Sequence, residues 1–309
     1  MLEPVSLSMA VSHAYPIVGY LVIMSQPSCA FTQLAGIKIG DPAPTRVMAA
    51  LNVSPESFYQ GSVRTDPKQL AEAAQAVVSE GADIIDIGAM STAPYLKTAI
   101  SIHEETQRLV CAVREVSARV SVPISADTKR ALPAQAALAA GARIINDVSG
   151  LKHDSDMAPV IAQSGVGVVI MASEPVPQNG SPLERIRSAL MDSLDIADRA
   201  GIPKDSIVLD PGIGFFRKPG IPWSEWDCAV LRELSDLRSL GFPLLIGVSR
   251  KSFIGKILDQ SNTQDRLIGS LACAAIAVFN GAHIIRAHDV KETVEAVRMA
   301  ERLRPARVS

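Results

Sequence analysis

The sequence predicts a single closed (β/α)8 barrel of the TIM type, an α/β fold, preceded by an N-terminal extension. From Arg46 onward, short apolar runs rich in β-branched residues alternate with longer stretches whose apolar residues recur at helical spacing. Eight such pairs follow one another, and repeated strand–helix alternation argues a parallel sheet that closes on itself. The 309 residues suit one such barrel, which takes about 250.

The strands are expected at Val47–Val53, Asp83–Gly88, Val122–Asp127, Arg143–Val148, Gly167–Met171, Ser206–Asp210, Pro243–Val248 and His283–Arg286. Their short, continuous apolar runs fit strands buried on both faces. Helices are expected at Pro67–Glu80, Glu104–Arg119, Leu132–Ala140, Ser155–Ser164, Pro182–Ala200, Trp226–Leu240 and Asp265–Asn280, with a last one over about Lys291–Arg302. Gly81, Gly141, Gly201, Gly241 and Gly281 each end a helical stretch, where glycine supplies the left-handed stop. An open doubly wound sheet is the alternative, but no Gly-x-Gly-x-x-Gly follows the first strand.

Residues 1–35 form the extension and 36–309 the barrel domain; no strand–helix unit is visible before residue 46, and Asp41–Pro44 reads as a turn. Tyr15–Met24 is apolar but far short of the roughly 20 residues that span a bilayer. The first Lys or Arg is Lys38, so the cationic start of a signal peptide is missing. An arm or strand, or an early start codon, is expected instead.

The composition, 48% hydrophobic and 20% charged, is globular. A net charge of −2 and a pI near 6.2 give no general attraction to nucleic acid or an anionic membrane. Aromatic residues at 4% also argue against a base-stacking platform. The four cysteines, Cys29, Cys111, Cys228 and Cys273, show no metal-binding spacing, so a reduced, cytoplasmic protein is expected.

In such barrels the chemistry lies at the C-terminal ends of the strands. There the sequence places Asn52, Asp86, Asp127, Asn146, Asp147 and Asp210, and with them Arg250, Lys251, Arg286 and His288. Helix N-capping accounts for Asp and Asn at such positions, but not for a lysine, an arginine and a histidine at the same rim. The set implies an acceptor-rich end for a donor-rich heterocycle and a cationic end for phosphate. Singly, His288 also reads as a core histidine, Arg286 as the partner of a buried acid, and Asp86 equally well as internal support. Lys251-Ser252 is no P-loop, because Arg250 stands where glycine is required.

Taken together, Leu51–Phe58 (LNVSPESF), Ala82–Gly88 (ADIIDIG), Ser91-Thr92, Ala126–Lys129 (ADTK), Ala142–Gly150 (ARIINDVSG), Leu209–Phe215 (LDPGIGF), Gly247–Gly255 (GVSRKSFIG) and Arg286–Val290 (RAHDV) resemble the dihydropteroate synthase family, in its order, over roughly residues 36–303. The resemblance implies condensation of a dihydropterin methyl diphosphate with 4-aminobenzoate, releasing pyrophosphate on the route to folate, assisted by Mg²⁺ in a homodimer. It implies Asp127 and Lys251 as catalytic residues, and Asp127, Asn146, Asp210, Lys251, Met171 and Phe215 around the pterin. Asn52, Thr92, Arg286 and His288 would hold diphosphate, Ser252 and Phe215 the aminobenzoate, and Asn52 would help place the metal. Departures cluster at the second-substrate end. Ala93 replaces a loop arginine, Phe58–Ser62 lacks the usual acid, Ala172 replaces a histidine, and Phe216-Arg217-Lys218 replaces Gly-Lys. Another aromatic amine, a methyltransferase-type pterin domain or a non-catalytic pterin binder are the alternatives.

Overall fold

The computed structural model describes residues 30–54, 66–90, 100–176, 179–216 and 221–304. A hairpin of β1 (Phe31–Leu34) and β2 (Ile37–Gly40) comes first. The barrel strands are β3 (Arg46–Asn52), β4 (Ile84–Gly88), β5 (Ile124–Asp127), β6 (Ile144–Asp147), β7 (Gly167–Met171), β8 (Ile207–Asp210), β9 (Leu245–Gly247) and β10 (Ile284–Ala287). The helices are α1 (Pro67–Ser79), α2 (Ile102–Ser117), α3 (Ala131–Ala140), α4 (Met157–Ser164), α5 (Pro182–Ala200), α6 (Trp223–Arg232), α7 (Ser252–Ile257), α8 (Leu267–Phe279) and α9 (Val290–Leu303). All eight barrel strands are parallel, in the order β8-β7-β6-β5-β4-β3-β10-β9. A single parallel bridge, Leu209 to Leu244, joins β8 to β9 and closes the (β/α)8 barrel.

The eight expected strands and their helices are all present, and the five helix-ending glycines all have positive φ. Two expectations are corrected. The helix expected over Trp226–Leu240 starts earlier, at Trp223, and stops at Arg232; Leu234–Leu240 continues as a 3-10 helix. Leu234 and Leu237 are both fully buried, and three-per-turn winding brings that spacing onto one face. Likewise Thr263–Arg266 is a 3-10 turn and α8 begins only at Leu267. Helix α7 was not foreseen, because six residues are too few to show periodicity.

The hairpin was not foreseen either, and it builds the barrel floor. Its turn places Ala35 and Gly36 at φ 48° and 86°, the double left-handed conformation that favours Asn-Gly and gives Ala-Gly little sequence signal. Leu34 and Ile39 are fully buried against Met48, Ile84, Ile144, Val169, Val208, Leu245 and Ile284, one inward residue from seven of the eight strands. Gly167 makes room for this plug: a Cβ there would lie 2.4 Å from Leu34 Cδ1. Beneath it, Asp41 Oδ2 accepts from the Ala30 amide at 2.9 Å, while Oδ1 accepts from Arg238 at 2.9 Å and faces His283 Nε2 at 3.3 Å. His283 Nδ1 accepts from the Leu244 amide at 3.0 Å, so the ring is neutral with its proton toward Asp41. Burial, with Arg238 and Arg304 nearby, pushes its pKa down to about 3.

Leu34→Ala is expected to cost about 2–5 kcal/mol, read from the urea midpoint, because the floor cannot collapse onto the cavity. An unchanged midpoint would show that the hairpin does not hold the barrel. A histidine whose pKa falls on folding stabilises fully above its ordinary 6.5 and progressively less as pH drops toward about 3. Replacing it in His283→Gln should flatten the acid side of the stability curve between those limits, as measured by urea titrations at stepped pH.

Candidate active site

Side chains alternate along a strand, so the residue two places beyond each floor residue also faces the lumen. Beyond Ile84 stand Asp86 and Gly88, beyond Ile144 Asn146, beyond Val208 Asp210, and beyond Ile284 Arg286. The register sets Asn52, Gly88, Asp127 and Asn146 side by side across β3 to β6. A Cβ at Gly88 would lie 3.3 Å from Asn52 Oδ1, so glycine keeps this wall open.

Arg286 reaches across the lumen. Its Nε donates to Asp86 Oδ2 at 2.7 Å and its Nη2 to Asp127 Oδ2 at 3.2 Å. Asn146 Nδ2 donates to Asp86 Oδ2 at 3.1 Å. Asp86 is fully buried, and its two donors make it the support of Arg286 and Asn146. Each of Asp86, Asp127 and Asn146 keeps its Oδ1 buried with no donor among the described residues. Burial pushes the Asp127 carboxyl up to about 7; Asp86 adds to the rise, Arg286 opposes it, and Glu105 and Asp147 add smaller repulsions. Burial also raises Asp210, against the Gly212 amide at 2.7 Å and the charges of Lys251 and Arg286.

The loop after β5 is pinned from outside. Glu105 on α2, almost fully buried, accepts from Thr128 Oγ1 at 2.6 Å and from Arg130 Nη1 at 2.8 Å. The loop after β8 is pinned by Asp227 on α6, whose Oδ1 accepts from the Gly214 amide at 2.8 Å. Gly214 also clears the path of Lys251, whose Cδ would be 2.8 Å from an added Cβ. Lys251 Nζ donates to the Ile213 carbonyl at 2.5 Å and lies 4.7 Å from the Phe215 ring centre.

Three relatives fix the setting. Residues 48–288 match the family model described as pterin binding enzyme. A dihydropteroate synthase of Synechocystis is 37% identical over 266 residues, 84% of this chain and 90% of that protein. Among solved structures, a Xanthomonas albilineans dihydropteroate synthase with 4-aminobenzoic acid superposes with a TM-score of 0.79 at 32% identity, covering 89% of this chain and 98% of that one. The chain belongs to the dihydropteroate synthase family of pterin-binding enzymes. A Coxiella burnetii family member in complex with pteroic acid gives a TM-score of 0.78 at 32% identity, covering 89% and 98%.

Within this family barrel, two rim residues named from sequence turn away from the lumen. Asp147 follows inward-facing Asn146 and so points outward; it accepts from the Ser149 amide and hydroxyl and the Leu151 amide at 2.6–2.8 Å, capping its own loop. Arg250 follows Ser249 and pairs with Asp289 at 2.7 and 2.9 Å while donating to the carbonyls of Thr263 and Gln264. His288 belongs less to a cationic end than its position suggested. Burial, then the charges of Arg286, Arg250 and Lys251, push its pKa down to about 3, so it is a neutral ring held at Nδ1 by Ser249 Oγ at 3.0 Å.

Met171 lies buried at the end of β7, and Phe215 and Ser252 are half-buried at the β8 loop and the start of α7. Thr92, like Ala93 and Phe58–Ser62, lies outside the described residues. Glu105, Asp227 and Ser249 were not singled out from sequence. Glu105 and Asp227 sit in ordinary amphipathic helices, whereas Ser249, at an inward position past β9, was open to the alternation argument.

Because Arg286 holds Asp127 down, Arg286→Met should raise the Asp127 pKa further. A step in kcat/KM is expected in the native protein as pH rises through about 7, and the substitution should move it to higher pH. The maximum should fall at least about a hundredfold, the cost of one electrostatic contact to the reacting group. A pH profile of kcat/KM that keeps its midpoint would detach Asp127 from Arg286.

Proposed function

We propose that the chain condenses (7,8-dihydropterin-6-yl)methyl diphosphate with 4-aminobenzoate to give 7,8-dihydropteroate and pyrophosphate. One observation carries the reading: two buried acceptor oxygens, on the register partners Asp127 and Asn146, stand at the mouth of a family barrel with nothing donating to them among the described residues. Burying acceptors in this way is costly unless a ligand supplies donors, and the amino-pyrimidinone edge of a pterin is rich in them.

As the methylene C–O bond breaks, diphosphate takes the electron pair and positive charge spreads over the pterin. Ionised Asp127 stabilises that charge in a poorly solvated setting. Asn146 and Asp210 orient the ring, with Met171 and Phe215 as its apolar sides. The amine nitrogen then bonds to the methylene carbon and loses a proton. Lys251 lines the amine's approach, Ser252 meets the carboxylate of the aminobenzoate, and Asn52, Arg286 and neutral His288 face the diphosphate. Among the described residues no three acidic, histidine or cysteine side chains gather as a metal cage. An amide oxygen such as that of Asn52 fits Mg²⁺ that is ligated mostly by water and phosphate. Bound there, the ion would neutralise charge on the departing diphosphate. Exposed Ile268, Ile276 and Phe279 on α8, with Met299 and Leu303 on α9, supply an apolar surface for a homodimer in the cytoplasm.

Pyrophosphate release is expected only with pterin diphosphate, Mg²⁺ and 4-aminobenzoate together, and is expected to vanish in Asp127→Asn and Lys251→Ala. Pterin binding without amine-dependent release would point to another amine or a non-catalytic binder. Sulfonamides mimic aminobenzoate, and Ala93 stands where the family resemblance implies a substrate-loop arginine. Inhibition is therefore expected to be weaker than in relatives that carry the arginine, and equal potency in side-by-side assays would refute this.

A further inference from the structure

The loops after β7 and β8 are joined by a buried stack in which Arg185 is the central member. Arg185 lies in the first turn of α5, where Ser181 and Glu184 form a reciprocal capping box that fixes the helix start. Its Nε and Nη2 donate to Glu174 Oε1 and Oε2 at 3.2 and 2.5 Å, and both side chains are more than nine-tenths buried. Glu174 stands three residues past Met171, in the β7 loop. The guanidinium carbon sits 4.5 Å from the ring centre of Trp226, and Trp226 stacks on Phe216 at 5.1 Å and 19°. Phe216 in turn packs against the Gly212 turn: a Cβ at Gly212 would lie 3.3 Å from the Phe216 ring and 3.4 Å from Met171 Cγ. Phe216 is buried, whereas its neighbour Phe215 faces Lys251. Trp226 Nε1 has no hydrogen-bond partner among the described residues, so the indole serves through its flat face.

We propose that Arg185 is a positioning residue for the pterin pocket: the Glu174–Arg185–Trp226–Phe216 stack clamps the β7 loop to the β8 loop and so fixes Met171, Asp210 and Phe215 relative to one another. The proposal rests on the active-site reading given above. A guanidinium can pair side-on with a carboxylate and lie flat on an indole at once, and an ammonium cannot. Arg185 itself is turned away from the lumen and takes no part in bond making.

The test is calorimetric binding of (7,8-dihydropterin-6-yl)methyl diphosphate, which yields affinity and binding-competent fraction separately and needs no turnover. Arg185→Lys should weaken the affinity about five- to tenfold at full stoichiometry, since small misplacements of packed contact groups are costly. Trp226→Leu should do the same, while Trp226→Phe, which keeps a flat ring, should stay within about twofold of native. A purely structural role would lower the stoichiometry and the melting temperature and leave the affinity of the folded fraction alone. That result, or native affinity in Arg185→Lys and Trp226→Leu, overturns the clamp. Should Arg185→Lys fail to fold, the contrast between Trp226→Leu and Trp226→Phe decides alone, equal affinities refuting it. Loss of pterin affinity in the native protein would sink the active-site reading and the clamp with it, whereas native binding with unaltered variants would sink the clamp only.

Discussion

Two carboxylates share one guanidinium at the mouth of the barrel, and the geometry of the lumen depends on that sharing. Arg286 is in register with Met48 and Gly247, yet its side chain crosses to Asp86 on β4 and Asp127 on β5. In the sheet order β10 lies two strands from β4 and three from β5, with β3 between, so the guanidinium spans that wall of the lumen. Removing one partner from such a buried pair typically costs about 3–5 kcal/mol, because the other charge is left stranded. The sharing also divides the acids by role. Asp86, sealed and doubly hydrogen-bonded, supports the cluster, while Asp127 keeps one buried oxygen with no donor among the described residues, and burial pushes its carboxyl up to about 7.

The floor and the mouth solve opposite problems with the same alternation. Below, inward positions are Met, Ile, Leu and Val, sealed by Leu34 and Ile39 from the hairpin. Two residues higher, the inward positions include Asp86, Asn146, Asp210 and Arg286, and Asp86 and Asn146 keep an acceptor without a donor among the described residues. The apolar layer offsets the desolvation that the polar layer incurs. The loops that finish the site are fixed from outside the lumen, by Glu105, Asp227 and Arg185, so the groups facing ligand need not hold themselves in place.

The strands and the polar cluster at their C-terminal ends were legible in the sequence because both follow from local signals: short β-branched runs, helix-ending glycines and polar residues at strand ends. The same alternation, applied one residue further, also separates Asn146 from Asp147 and Ser249 from Arg250. Counting residues at a rim misses that distinction, and the structure restores it. Other features were beyond local reading. The hairpin hides behind an Ala-Gly turn, α7 is shorter than two turns, and the protonation of His288 depends first on burial and then on Arg286 and the more distant Arg250 and Lys251. Glu105 reaches Thr128 across 23 positions and Arg185 reaches Trp226 through a ring face. Neither contact leaves a mark in sequence spacing.

One seam of the barrel differs from the other seven. Between β8 and β9 the ladder shrinks to the Leu209–Leu244 bridge, whereas every other neighbouring pair shares three or more paired residues. Local stability in a sheet follows the density of its backbone bonding, so compliance concentrates along this line. The seam rises between the loop that carries Phe215 and the one that carries Lys251. The cylinder is therefore most compliant at the rim that carries Phe215 and Lys251, while the ladder from β3 to β7 is held by continuous pairing.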